Sequence, residues 1–131
     1  MSRNHLSRRW ACRFVSIVVM LCISLPSSAS AVKDAVDLYK QGKTDAAIEA
    51  MQKIAAGNPN DALSRQWLGF LFLQKQQYAE ALKSLHEARS LKADGAELRN
   101  NLGMAYIGLK EYDKAVGELK KAAELRGDWG E

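Results

Sequence analysis

From Val32 onward, apolar residues recur every three or four positions, in runs separated by short polar breaks. "KDAVDLYKQG" (33–42) sets Ala35, Val36, Leu38 and Tyr39 on one broad face, and Gly42 closes the helix. "TDAAIEAMQKIAAGNP" (44–59) predicts a second helix, with Thr44 as its cap, Gly57 at its end and Pro59 beyond; Asp61 is placed to cap the next. Four further runs follow: "ALSRQWLGFLFLQK" (62–75), "YAEALKSLHEARSL" (78–91), "AELRNNLGMAYIGLK" (96–110) and "YDKAVGELKKAAEL" (112–125). The pattern predicts six helices and no strand. Turns of a few residues join such helices into antiparallel pairs.

Two of these stretches are near copies. "LGFLFLQKQQYAEA" begins at Leu68 and "LGMAYIGLKEYDKA" begins 34 residues later, at Leu102. Gly69/Gly103, Phe72/Tyr106, Tyr78/Tyr112 and Ala81/Ala115 recur in register. A fixed period of this size marks stacked structural units. Gly69 and Gly103 fall inside helices, where glycine costs roughly 1 kcal/mol of helix propensity. Close approach of a second backbone offsets that cost, with Ala81 and Ala115 as the expected partners. Leu68, Leu102, Phe72 and Tyr106 are then core fillers between helices, and Tyr78 and Tyr112, opening the second helices, staple the turns. An ordinary six-helix bundle with chance self-similarity is the alternative; Gly, Tyr and Ala matching at one offset disfavours it.

These residues resemble the tetratricopeptide repeat (TPR) family, whose units are 34-residue helix-turn-helix hairpins. The family's signature falls on Leu68, Gly69, Phe72, Tyr78, Ala81, Leu85 and Ala88, then on Leu102, Gly103, Tyr106, Tyr112, Ala115, Leu119 and Ala122. One period earlier it meets Ala35, Leu38, Ala47, Met51, Ile54 and Pro59, a degenerate unit with Asp34 where a large apolar residue belongs. The resemblance implies an all-α fold, a short right-handed α-solenoid of about three units. Their expected bounds are 32–61, 62–95 and 96–129.

It also implies a site. In this family the first helix of each pair lines a concave face that holds a peptide. Carried over residue by residue, that face comprises Val36, Tyr39 and Lys40, then Gln66, Phe70, Leu73 and Gln74, then Asn100, Met104 and Ile107. Phe70 and Met104 are equivalent and the signature does not require them, which suggests docking; packing under a neighbouring helix is the alternative. Relatives that hold a C-terminal carboxylate present a Lys, Asn and Arg cluster. Here Val32, Val36, Trp67 and Glu97 stand at four of those positions and only Asn101 is compatible. The expected ligand is an apolar or amide-contacting segment, such as an amphipathic helix, and not an acidic tail.

Charge adds a processing signal. The formal net charge is +4, but Arg3, Arg8, Arg9 and Arg13 lie in the first 31 residues, which hold no Asp or Glu. Setting those four aside leaves 15 basic residues against 15 acidic ones, interspersed, so no basic stripe favours nucleic acid. The arginines precede the apolar run "FVSIVVMLCISL" (14–25), then Pro26 and the small residues of 27–31. This reads as a secretory signal peptide over 1–31, cut after Ala29-Ser30-Ala31. An uncleaved anchor is the alternative, although 12 helical residues reach only about 18 Å against a core of roughly 30 Å. "SRRWAC" lacks the Phe-Leu of a twin-arginine leader, and Leu21 before Cys22 disfavours lipidation. Cys12 and Cys22 leave with the leader, so the mature chain has no disulfide.

No catalytic constellation emerges. His86 in "SLHEARS" has no second nitrogen or sulfur ligand at metal spacing and reads as a surface residue. Glu111/Asp113 and Asp34/Asp37 read as solvated helix starts. No metal or cofactor is expected, and no enzyme. The sequence thus predicts an exported, non-enzymatic adaptor for protein–protein recognition, periplasmic or secreted if bacterial. Membrane contact is expected only with an uncleaved leader. The competing reading is an oligomerisation or scaffold subunit of an envelope assembly, a homodimer included. It would dock through an uncapped edge around Leu119, Ala122 and Leu125, unless Trp129 folds back over it. The tripeptide Arg126–Asp128 reads as chance.

Overall fold

The computed structural model describes residues 27–127, which form six helices in three hairpins. Helix α1 (Ser28–Lys40) pairs with α2 (Thr44–Gly57), α3 (Ala62–Gln74) with α4 (Tyr78–Ser90), and α5 (Ala96–Gly108) with α6 (Tyr112–Arg126). No strand occurs among the described residues. Each second helix packs on the first helix of the following pair, α2 on α3 and α4 on α5, and α3 lies beside α5. This is a short α-solenoid. The apolar leader run, both cysteines and Trp129 lie outside the described residues. None of the described helices is long and apolar enough to cross a membrane.

Local chemistry explains where the helices stop. After α1, Gly42 adopts φ +79° while its N–H bonds Tyr39 O and the N–H of Lys43 bonds Leu38 O. These are the two bonds of a Schellman cap. The same pair recurs after α3, α4 and α5, but with Gln76, Lys92 and Lys110 as the left-handed residue. Asp61 caps α3, accepting from the N–H of Leu63 at 3.1 Å and of Ser64 at 3.4 Å. Thr44 does not cap α2. It is already the first helical residue, Lys43 holds the cap position, and no side chain bonds there. Helix α1 also starts earlier than its apolar pattern indicates, so Asp34 and Asp37 lie mid-helix and not at a helix start.

Two apolar clusters form the core. One gathers Val32, Ala35, Ala47, Ile48, Met51, Ala55, Leu68 and Leu71; the other gathers Leu85, Ala88, Leu98, Leu102, Tyr106 and Ala115. The atoms nearest the repeat glycines belong to leucine side chains. A Cβ on Gly69 would collide with the Leu85 side chain, and one on Gly103 would lie 2.6 Å from Leu119 Cγ. Behind Leu119, the backbone of the expected partner Ala115 also comes close, its carbonyl oxygen 3.5 Å from the Gly103 Cβ position. Each glycine is a notch that seats a leucine one helical turn beyond the alanine. Tyr78 reaches past its own hairpin: its ring lies where a Cβ on Gly108 of the next hairpin would be. Tyr112, with no described hairpin after it, is 59% exposed.

Charged pairs tie the layers together. Lys75 pairs with Asp45 between α2 and α3, and Arg65 with Glu87 between α3 and α4. Glu118 on α6 accepts from Arg89 of α4 at 3.2 Å and from Arg99 of α5 at 2.8 Å. Asp94 bonds the far side of Arg99, and that bond holds its carboxyl below the usual aspartate value. His86, expected at the surface, is half-buried inside this network. Arg89 Nη2 lies 2.9 Å from Nδ1, and Nε2 lies 3.1 Å from the Tyr106 hydroxyl. Guanidinium can only donate, so Nδ1 accepts and the ring is the neutral Nε2–H tautomer. Burial first and the Arg89 charge second lower the His86 pKa, against the opposing pull of Glu118.

Two predictions follow from the packing. Gly69→Ala is expected to cost about 1–3 kcal/mol, because Leu85 is fully buried and cannot yield. Gly117→Ala, in α6 with nothing within 4 Å of its Cβ position, is expected to gain up to about 1 kcal/mol. Urea-unfolding midpoints check both. For His86 the folded pKa lies below the unfolded one, so the unfolded chain binds the extra proton first. Its contribution is complete above the ordinary value of about 6.5 and is lost as pH falls from there through the lowered folded value. Stability measured from pH 7 to 5 should fall more steeply in the natural chain than in His86→Gln.

Candidate functional site

The first helices of the second and third hairpins, α3 and α5, stand side by side and leave a cleft of about 470 Å³ between them. Its wall on α3 is Phe70, Leu73 and Gln74; its wall on α5 is Asn100, Asn101, Met104, Ile107 and Gly108; Gln76 and Tyr78 close one end. No charged residue lines it. A smaller cleft of about 190 Å³ adjoins it, lined by Leu63, Gln66, Trp67, Phe70 and Glu97. The walls are related by the repeat. Gln66 and Asn100, Phe70 and Met104, Leu73 and Ile107, Trp67 and Asn101 are all 34 residues apart. One hairpin's inner face is therefore set against the same face of the next.

Most of the expected concave face is brought together here, and part of it is not. Phe70, Leu73, Gln74, Asn100, Met104 and Ile107 line the main cleft, and Gln66 lines its neighbour. Val36 and Tyr39 instead pack half-buried against the first core cluster. Lys40 is exposed and pairs with Asp37 at 3.6 Å. Phe70 serves both cleft and core. Its ring meets Tyr39 edge-on at 5.4 Å and Trp67 at 5.6 Å, so two aromatic neighbours fix its position. Met104, at 50% exposure, and Ile107, at 42%, have no such cover.

Asn101 carries the strongest chemical signal in the cleft. It is only 7% exposed, and its Nδ2 has no hydrogen-bond partner in the protein. A buried donor left unmade costs about 1–3 kcal/mol. The nitrogen is closed to solvent as it stands, so an acceptor of a bound molecule reaches it through a shift of the cleft wall. The family resemblance marks Asn101 only as compatible with a carboxylate clamp; its burial and missing partner are not legible in the sequence. The cations of such a clamp are absent from the lining, and Glu97 supplies a negative charge at the adjoining end.

Comparison with known proteins places this arrangement. A TPR-type family model, described as anaphase-promoting complex, cyclosome, subunit 3, matches residues 40–122. The DnaJ homolog subfamily C member 3 of Gallus gallus is 31% identical over 106 residues, 70% of this chain and 21% of that protein. The Hsp70-Hsp90 organising protein of Plasmodium falciparum (isolate 3D7) is 27% identical over 93 residues, 66% of this chain and 16% of that protein. The chain thus spans about a fifth or less of the length of these curated relatives. Among solved structures, the second TPR of Spaghetti (RPAP3), bound to the HSP90 peptide SRMEEVD, superposes with a TM-score of 0.72 at 23% identity. That likeness covers 76% of this chain and 93% of the other and speaks to the fold. A crystal structure of the MamA protein gives 0.69 at 25% identity, over 77% of this chain and 55% of that one. With the signature residues seated as described, and the matched model covering more than half of its length, the chain belongs to the tetratricopeptide repeat family.

Proposed function

We propose that this chain is a non-enzymatic recognition module that holds an uncharged, apolar segment of a partner protein in the cleft between α3 and α5. The observation that carries this reading is the unpartnered Asn101 amide, nine-tenths buried in an uncharged wall whose apolar part is Phe70, Leu73, Met104 and Ile107 and whose polar part is Gln74, Gln76 and Asn100. Such a wall takes up apolar side chains. The amide donates to a main-chain carbonyl between them. The TPR of RPAP3 was solved with an acidic peptide. Here the cleft wall is neutral and Glu97 lies at its end, which disfavours an acidic tail. As a module of the TPR family the chain supplies binding, and no reaction is assigned to it.

The arginine-flanked apolar run before Pro26 supports action outside the cytoplasm, with the leader removed after Ala31. Helix α1 begins at Ser28, so that cut would leave Val32–Lys40 as its remaining turns.

Two experiments test these readings. Panning a random peptide library on the purified chain should enrich apolar, uncharged sequences. Binding of the winners should weaken about five- to tenfold in Asn101→Leu, the worth of one hydrogen bond, and also weaken in Met104→Ser. Met104 is half exposed, so that change spares the core, unlike Phe70→Ser, which strips the packing of Tyr39 and Trp67. Preferential retention of SRMEEVD, or binding indifferent to both variants, overturns the cleft assignment. Separately, N-terminal sequencing of the product exported from a bacterial host should begin at Val32; retention of the intact leader in the cell overturns the export reading.

A further inference from the structure

The repeat shows what covers each second helix, because α2 and α4 are covered by the next hairpin while the same surface of α6 is exposed among the described residues. On α4, Tyr78, Leu82 and Leu85 face the next hairpin. Leu85 is fully buried, Leu82 packs on the cluster that contains Leu98 and Leu102, and Tyr78 lies over Gly108. The same places on α6 are Tyr112, Val116 and Leu119. Tyr112 is 59% exposed and Val116 65%, the largest exposure among the bulky apolar side chains of the described residues. Ala122, expected to share this open edge, is instead buried at 4% against the rest of the hairpin. Tyr112 and Val116 are thus the open part of a Tyr-x3-Val-x2-Leu stripe at i, i+4 and i+7, with Leu119, seated at Gly103, half-buried at its end.

A second copy stacked head-to-tail does not fit that stripe. The residues that would take the places of Leu102 and Gly108 are Asp34 and Lys40 on α1, both polar and both exposed. The leading edge of the stack is therefore hydrophilic where the trailing edge is apolar. Nor does α6 meet itself well. A tyrosine ring here needs a glycine notch, and Gly117, the glycine within α6, lies about 140° round the helix from Tyr112 at 3.6 residues per turn.

We propose that the α6 stripe docks an amphipathic helix of a different protein, one that reproduces the covering face of α5: two leucines four residues apart, and a glycine six residues after the second. The leucines pack on Val116 and Leu119, and the glycine receives the Tyr112 ring as Gly108 receives Tyr78. This surface lies on the second helix of the last hairpin, away from the α3–α5 cleft, so it stands independently of the peptide-binding reading.

The probe is a fluorescein-labelled peptide with the sequence of residues 95–111, stapled on its outward face to hold it helical and titrated into the full chain by fluorescence polarisation. Saturable binding is expected. It should weaken at least about tenfold, as removal of a central anchor does, both with Val116→Glu in the protein and with Gly108→Leu in the peptide. Met104→Ser in the protein should leave it unchanged. Val116 is largely exposed, so its substitution spares the core, and the peptide variant tests the notch with the protein untouched. Absence of saturation overturns the proposal, as does indifference to both changes. Sensitivity to Met104→Ser would place the peptide in the cleft and also overturn it. So would sedimentation of the chain alone as a dimer that Val116→Glu dissolves, since the occupant would then be a second copy.

Discussion

The structure rests on a side chain seated where another helix has none. Gly69 admits Leu85, Gly103 admits Leu119, and Gly108 admits the ring of Tyr78. The first two contacts draw the helices of a hairpin together; the third draws one hairpin onto the next. Each glycine weakens its own helix by roughly 1 kcal/mol, while a fully buried leucine contributes about 1.5–3 kcal/mol. The exchange favours the stack. Because the contacts recur at a fixed interval, they also fix the spacing of the first helices, and the cleft between α3 and α5 is what that spacing leaves open.

How much of this the chain discloses depends on what kind of feature is read. Helix count, pairing and period were legible, because they follow from apolar periodicity and from Gly, Tyr and Ala at one offset. Three local assignments were not. The glycines' partners are leucines one turn past the expected alanines, since spacing marks which residues are inward but not which side chain fills a gap. Thr44 is outside its expected role because a helix can start without a side-chain cap. His86 looked solvated because its shielding comes from Tyr106 and Arg89, on a neighbouring helix and a turn away, which no local pattern reveals. In the cleft, identities were legible and environments were not: Phe70 and Met104 are equivalent by register, yet two rings hold the first and the second stands free.

The two ends of the stack differ for a reason that is also local. Asp34 looked like a defect in the first repeat, a charge at a core position. It is exposed, and with Lys40 it makes the leading edge compatible with water. At the other end the repeat runs to the last described helix with its apolar signature intact. A departure from the pattern thus makes one face of α1 polar, and faithful repetition leaves an apolar face on α6.

The pairing of cleft residues by a single hairpin step constrains the shape of whatever is bound. Phe70 and Met104 occupy the same place on neighbouring helices, and neighbouring helices stand about 8–10 Å apart. An extended chain advances roughly 3.3 Å per residue, and a helical one about 1.5 Å. Matching side chains of the ligand therefore fall near every third residue in the first case and every sixth or seventh in the second. The spacing of its own repeats is a ruler that the protein carries over to its ligand.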